Sequence, residues 1–137
     1  MILQTISMKS VTAAGMGTLS VFEAERDVPF AIKRIYYIHG APKGVQRGGH
    51  AHKALRQVLW CPYGSILIRL DNGREKAEVL LNDPAKGLIV EHYMWREMIW
   101  QQDDSVLCVA ADSYYEADDY IRDYDEFLAT VAKEDAL

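Results

Sequence analysis

The sequence predicts an all-β domain, an antiparallel sandwich or barrel with one α-helix at its C-terminal end. Three features point there: a hydrophobic period of two over most of the chain, turn residues between short β-branched and aromatic runs, and a helical period that begins only after Asp118. The chain has 137 residues, the length of one domain at the usual size of about 100–200 residues. Half of the residues are hydrophobic and 26% are charged, the balance of a chain that buries a core. No linker, repeat or low-complexity tract interrupts it, so residues 1–137 are expected to form one unit.

Residues 18–23 (TLSVFE) and 31–38 (AIKRIYYI) read as the first strands, followed by 57–61 (QVLWC) and 65–70 (SILIRL). Asp71-Asn72-Gly73 is the sharpest turn. Asn-Gly tolerates the positive φ of a type I′ turn, so residues 65–71 and 74–81 are expected to pair as a hairpin. Strands at 87–91, 97–101 and 105–111 complete the set. Pro62-Tyr63-Gly64, Asn82-Asp83-Pro84 and Gln102-Asp103-Asp104 separate them. Many short strands with no helical pattern between them indicate a sandwich or barrel. From Asp118 onward Ile121, Tyr124, Phe127, Leu128 and Val131 follow three- and four-residue steps, one stripe on a helix. Asp118 or Asp119 is the expected N-cap, and Lys133 complements the dipole at the far end.

Lysine and arginine total 15 against 20 aspartate and glutamate, a net charge of -5. Nucleic acid is therefore not an expected partner, because its phosphates demand a dense basic surface. No apolar run reaches the roughly 18 residues of a membrane span, so no membrane partner is expected. The N-terminal residues lack a basic segment followed by a long apolar stretch, which argues against secretion. Cys61 and Cys108 each sit in apolar surroundings and read as buried free thiols of a reducing compartment. The expected location is cytoplasmic.

Of four histidines, two form His50-Ala51-His52. On a strand, residues i and i+2 share a face, so both imidazoles would enter one space. Gln46-Arg47-Gly48-Gly49 precedes them, and Lys53-Ala54-Leu55-Arg56-Gln57 follows. Two glycines let the backbone bend or approach a ligand, and Arg47, Lys53 and Arg56 concentrate positive charge in an acidic chain. Paired imidazoles beside cations suit proton transfer on an anionic substrate. The bland alternative is a surface strand with two idle histidines and solvated cations. His-x-His also begins many transition-metal sites, and His92 or Glu97 could complete one. Gln57 stands where a carboxylate ligand would be wanted, which favours a metal-free site.

The tract Arg47-Gly48-Gly49-His50-Ala51-His52-Lys53, with Gln57 after it, resembles the signature of the WxcM-like sugar 3,4-ketoisomerases of the cupin superfamily. Residues 29–38 (PFAIKRIYYI) are similar to that family's strand before the active site. Trp95-Arg96-Glu97-Met98 resembles its Trp-His-Glu-Met segment, and residues 113–127 (SYYEADDYIRDYDEF) resemble its C-terminal signature. The chain departs from the pattern in three places. Ala13-Ala14-Gly15-Met16-Gly17 replaces an Asp-x-Arg-Gly turn, His92 replaces a proline, and Arg96 replaces a histidine. If Arg96 faces the cavity, its permanent charge implies an altered nucleotide or sugar preference.

The resemblance implies a cupin-type jelly-roll β-barrel of antiparallel strands. It also implies a homodimer in which N-terminal strands pair with the partner's sheet, a part residues 1–7 are apolar enough to play through Ile2, Leu3 and Ile6. The implied substrate is dTDP-4-keto-6-deoxy-D-glucose, whose ketone moves from C4 to C3 through an enediol. The product would feed an aminotransferase in deoxyaminosugar biosynthesis. That chemistry needs no redox cofactor and no metal. His50 and His52 are the expected catalytic acid and base. Tyr36 or Tyr37 is the expected donor to the enediolate, and alternation lets only one of them face the lumen. Arg47 is the expected diphosphate ligand, ahead of Lys53 and Arg34. Gln57, Trp95 and Glu97 complete the expected substrate contacts, with Trp60 and Trp100 as further candidate walls for thymine. Reprotonation on either face of C4 would give gluco- or galacto-type products. The competing readings are a metal-dependent cupin enzyme, a non-catalytic nucleotide-sugar-binding cupin and a 3,5-epimerase.

Overall fold

The computed structural model describes residues 2–136. Its strands are β1 (Gln4–Ser7), β2 (Lys9–Ala13), β3 (Gly17–Val21), β4 (Arg34–Ile38), β5 (Gln46–His52) and β6 (Gln57–Tyr63). They continue with β7 (Ile66–Asp71), β8 (Lys76–Leu81), β9 (Lys86–Val90), β10 (Trp95–Trp100), β11 (Val106–Ala111) and β12 (Tyr120–Ile121). One α-helix, α1 (Tyr124–Asp135), ends the fold. Two five-stranded sheets run in the orders β1-β9-β6-β11-β4 and β12-β5-β10-β7-β8, and β2 and β3 form a separate hairpin. Their strand pairings are antiparallel.

The period of two sorts side chains into three layers. Between the sheets lie Leu59, Ile66, Ile68, Leu70, Leu88, Trp100, Leu107 and Val109, with Cys61 among them. On the outer face of the first sheet, Val58, Ile89 and Trp60 are covered by Phe22, Val28, Phe30 and Ile32 from the long connection after β3. On the outer face of the second sheet, Ala51, Trp95 and Ile121 are covered by Phe127 of α1, with Leu128 and Val131 beside it. Each fully buried aliphatic or aromatic side chain contributes about 1.5–3 kcal/mol, so the helix and the connection each add a real share of stability.

Local pattern and fold disagree at two places. The hairpin expected at residues 65–81 is present, but its turn is longer than two residues. The last pair is Asp71↔Lys76, and Asn72 Oδ1 accepts from the Arg74 and Glu75 N–H groups at 2.9 and 2.8 Å. Only Gly73 takes a positive φ there, at 90°. A Cβ on it would meet Val131 at 2.9 Å, so the turn is shaped to lie under α1.

The helix begins later than its periodic stripe. Asp123, not Asp118 or Asp119, is the N-cap and accepts from the Glu126 N–H at 3.1 Å. Residues Ala117–Asp119 form a 3₁₀ turn, and Ile121 pairs with Ala51 in a two-residue strand. Tertiary pairing overrides a three- and four-residue spacing that also suits a helix. Finally, residues 1–7 were expected to reach a partner's sheet. In the single chain Gln4–Ser7 lies at the edge of the first sheet, in the register Gln4↔Ile89 to Ser7↔Lys86, and Met1 lies outside the described residues.

Candidate active site

β5 is interrupted in the middle, and the interruption builds the site. Arg96 pairs with His50 and Glu97 with Gly48, so β5 carries one extra residue, Gly49, opposite β10. Gly48 has φ +87°, and a Cβ on it would stand 2.7 Å from the Arg96 carbonyl oxygen, which excludes any larger residue. Opposed residues on neighbouring strands share a face. Arg96 and Met98 are two apart on β10, whereas their partners His50 and Arg47 are three apart on β5. The bulge therefore brings Arg47 to the same sheet face as His50, which an unbroken strand would forbid.

His50 and His52 do share one wall of the lumen, with ring centroids 5.1 Å apart and planes nearly perpendicular. Tyr120, on β12 opposite His52, packs against both rings at 5.0 and 4.4 Å, and the Arg122 guanidinium sits 4.2 Å over the Tyr120 ring. His52 Nδ1 is 2.9 Å from Asp119 Oδ2. Deeper in the barrel, Arg96 Nη1 donates to Gln57 Oε1 at 2.6 Å, and Gln57 Nε2 donates to the Tyr36 hydroxyl at 3.1 Å. Tyr36 thus accepts from Gln57 and keeps its own O–H to donate. Arg96 is fully buried; its other bonds go to the Met94 carbonyl at 3.1 and 2.9 Å, and no carboxylate pairs with it among the described residues. A buried cation held by neutral groups alone projects its charge into the lumen.

This charge acts on the imidazoles. Burial, then Arg96, lowers His50 to about 4, with Arg122 adding to the effect and the Gly48 backbone opposing it. Burial, Arg96 and His50 lower His52 to about 3 against the pull of Asp119. Burial brings Arg96 down to about 10, so it stays protonated at neutral pH. Both imidazoles are then neutral in the folded protein at pH 7 and able to accept a proton. The unfolded chain binds protons near pH 6.5, whereas the folded one resists until about 4 and 3. Stability conferred by these groups is complete above pH 6.5 and is lost as pH falls through that window. Urea unfolding at pH 7 and pH 5 checks this: the midpoint is expected to fall on acidification, and to fall less in a His50→Asn variant.

A cavity of about 130 Å³ opens against His52, lined also by Arg34, Leu55, Glu116, Asp119 and Tyr120. Two buried polar side-chain atoms lack a hydrogen-bond partner among the described residues, His52 Nε2 and Arg34 Nε, and both residues line this cavity. Orphaned buried donors and acceptors are rare in folded proteins, and their convergence marks a place where a ligand completes the bonding. Arg34 is additionally held near the Tyr36 and Tyr115 rings, at 5.4 and 5.7 Å.

Several expected contacts lie elsewhere. Tyr37 alternates away from Tyr36 and is 62% exposed on the outer face of β4. Trp95 and Glu97 alternate with Arg96 onto the outer face of β10, where Trp95 packs against Tyr124 and Phe127 and its indole N–H faces Glu97 at 3.4 Å. They line a separate groove of about 700 Å³ with Arg69 and Asp71. Trp60 stacks edge-on with Phe22 outside the barrel, and Trp100 is sealed in the core, donating to the Ser105 carbonyl. Lys53 Nζ is tied to the Asp118 carbonyl at 3.0 Å, whereas Arg47 is exposed on β5 opposite Met98. His92 is exposed beside Tyr93, and Met16 is exposed at the tip of the β2–β3 hairpin. Asp119, Tyr120 and Arg122 were not expected in the site, because the helical spacing had placed them on α1. Their position within residues 113–127, which resemble a known C-terminal signature, was the available clue.

A family description, FdtA, WxcM-like, C-terminal, matches residues 1–132. A TDP-4-oxo-6-deoxy-alpha-D-glucose-3,4-oxoisomerase of Aneurinibacillus thermoaerophilus is 44% identical over 117 residues, covering 85% of this chain and 84% of that protein. The crystal structure of the sugar 3,4-ketoisomerase QdtA from Thermoanaerobacterium thermosaccharolyticum in complex with TDP superposes with a TM-score of 0.92 at 41% identity, over 97% of this chain and 96% of that one. The TDP-quinovose 3,4-ketoisomerase WlaRB from Campylobacter jejuni gives 0.87 at 39% identity, over 93% and 97%. The likeness covers both sheets and α1, so the architecture is the cupin-type jelly roll.

Proposed function

The chain belongs to the FdtA family of WxcM-like proteins, and we propose that it is a 3,4-ketoisomerase of dTDP-4-keto-6-deoxy-D-glucose. The observation that carries this is the pair of neutral imidazoles on one lumen wall, with His52 Nε2 unpartnered at a cavity and an uncompensated guanidinium behind them. The related enzymes of this activity add the substrate class.

The reaction conserves electrons. The C3–H bond breaks, its pair forms the C3–C4 double bond, and the C4 carbonyl pair moves onto its oxygen. Loss of the C3 hydroxyl proton and protonation at C4 and its oxygen then leave the ketone at C3. His50 and His52 carry these protons, since both are neutral and face the lumen. The developing oxyanion is stabilised by the charge of Arg96 and by the free O–H of Tyr36. An anionic diphosphate is met by the exposed Arg47, and Arg34, which lines the cavity, has a buried Nε donor without a partner. The substrate's charge also opposes the effect of Arg96 on the imidazoles and makes them stronger bases when it is bound.

Incubation with dTDP-4-keto-6-deoxyglucose in D₂O, followed by NMR of the product, tests the reading. A 3-keto product with deuterium at C4 is expected, and its coupling constants give the C4 configuration. Label at C3 and C5 with the ketone still at C4 indicates an epimerase, and binding without exchange indicates a non-catalytic module; either result overturns the proposal.

The same reading includes a homodimer. The β2–β3 hairpin sorts into a hydroxyl face, with Ser10 against Ser20 and Thr12 against Thr18, and a second face that carries Val11, Leu19 and Val21 beside Lys9. Val11 and Leu19 are 69% and 64% exposed, and β4, at a sheet edge, exposes Ile35 and Tyr37. Such surfaces in one chain favour burial against a second copy. Sedimentation is expected to show a dimer that Leu19→Lys dissociates; a monomeric parent protein refutes it. Free Cys61 and Cys108, Cys61 buried, support placement in a reducing compartment such as the cytoplasm.

A further inference from the structure

We propose that Asp119 is a positioning residue that holds His52 with its proton on Nδ1, so that the bare Nε2 faces the cavity and His52 enters the reaction as a proton acceptor. The inference rests on the isomerase reading and assigns unequal roles to the two imidazoles.

Both oxygens of Asp119 are committed. Oδ2 lies 2.9 Å from His52 Nδ1, and Oδ1 accepts the Ala54 backbone N–H at 2.9 Å. Its own carbonyl accepts the Lys53 N–H at 3.0 Å, and the next residue, Tyr120, pairs with His52 across β12 and β5. The carboxylate is thereby locked to the end of the strand that carries the imidazole. A carboxylate only accepts, so the Nδ1 facing it must donate. Neutral imidazole has one proton, and placing it on Nδ1 leaves Nε2 as a lone pair. That atom is the one the fold leaves buried and unpartnered, on a residue that lines the cavity. His50 has no carboxylate behind it among the described residues. The first donor to the oxyanion is therefore Tyr36, Arg96 or His50, and not His52.

Asparagine at this position discriminates between positioning and mere support. It has one acceptor oxygen, while the site presents two donors, the Ala54 N–H and His52 Nδ1–H. The Ala54 donor is backbone and fixed, so the amide nitrogen turns toward His52 and drives its proton to Nε2.

Long-range proton–nitrogen NMR of the ¹⁵N-labelled full chain at neutral pH reads the tautomer directly. In the parent protein His52 is expected to be protonated at Nδ1 and bare at Nε2; a proton on Nε2 overturns the proposal whatever the activity. In Asp119→Asn the pattern is expected to invert, with kcat reduced by about 10²–10⁴-fold and KM little changed. An inverted tautomer with full kcat overturns it as well. The parent spectrum needs no variant, so misfolding of Asp119→Asn leaves the test intact. Absence of isomerase activity in the parent protein would instead refute the reaction and leave the tautomer result standing.

Discussion

Replacing His50 or His52 by asparagine is expected to lower kcat for ketone migration by about 10²–10⁴-fold, the contribution of one placed acid or base. Asparagine retains hydrogen-bonding capacity but cannot relay a proton, so the loss reports chemistry rather than shape. The two variants are expected to differ in stability. His50 is half-buried, whereas His52 is sealed among Asp119, Tyr120 and the barrel wall and answers a carboxylate. His52→Asn leaves Asp119 with a weaker donor and opens space beside Tyr120, so it costs more, by roughly the 1–3 kcal/mol of an unsatisfied buried group. Circular dichroism and urea unfolding measure the fold, and initial rates with the nucleotide sugar measure kcat. Full turnover in either folded variant removes that histidine from the reaction.

Arg96→Met is expected to leave binding nearly intact and to reduce kcat by about 10²–10³-fold, the range for removing one preorganised donor to a developing oxyanion. It also moves the pH dependence. Burial is the first cause of the low imidazole values and persists in the variant; Arg96 is the second cause and is removed. Both groups therefore rise from about 4 and 3 part of the way toward 6.5. The acid limb of kcat/KM, which reports the free enzyme's base, shifts to higher pH by the same amount. An unchanged acid limb would mean that Arg96 does not act on the imidazoles.

Much of the fold was readable because half-buried strands advertise themselves through alternation, and the shared face of His50 and His52 followed from their spacing alone. Parity is what alternation does not supply. Trp95-Arg96-Glu97 gives no sign that the tryptophan faces out and the arginine faces in, and ordinary hydrophobic sorting predicts the reverse. The inversion is sustained by two neighbours distant in sequence: Phe127 of α1 covers Trp95, and Gln57 receives Arg96. Places where local sorting fails in this way are where function constrains the residue. Asp119 was misplaced for a different reason. Ile121 and Phe127 fit a helical stripe equally well as a buried strand residue followed by a helix, and only pairing with Ala51 decides between them.

The extra residue at Gly49 also makes β5 a ruler. Arg47 and His50 stand opposite Met98 and Arg96, two steps apart on β10, so the three steps of the bulged strand cover only about 7 Å at 3.4 Å for each β10 step, which sets how far from the imidazole of His50 a negative group must sit to meet the guanidinium of Arg47. Shortening this strand by one residue would turn Arg47 to the opposite side while leaving both histidines in place. Reactivity toward the sugar ring and preference for what is attached to it are thus separable by a single deletion.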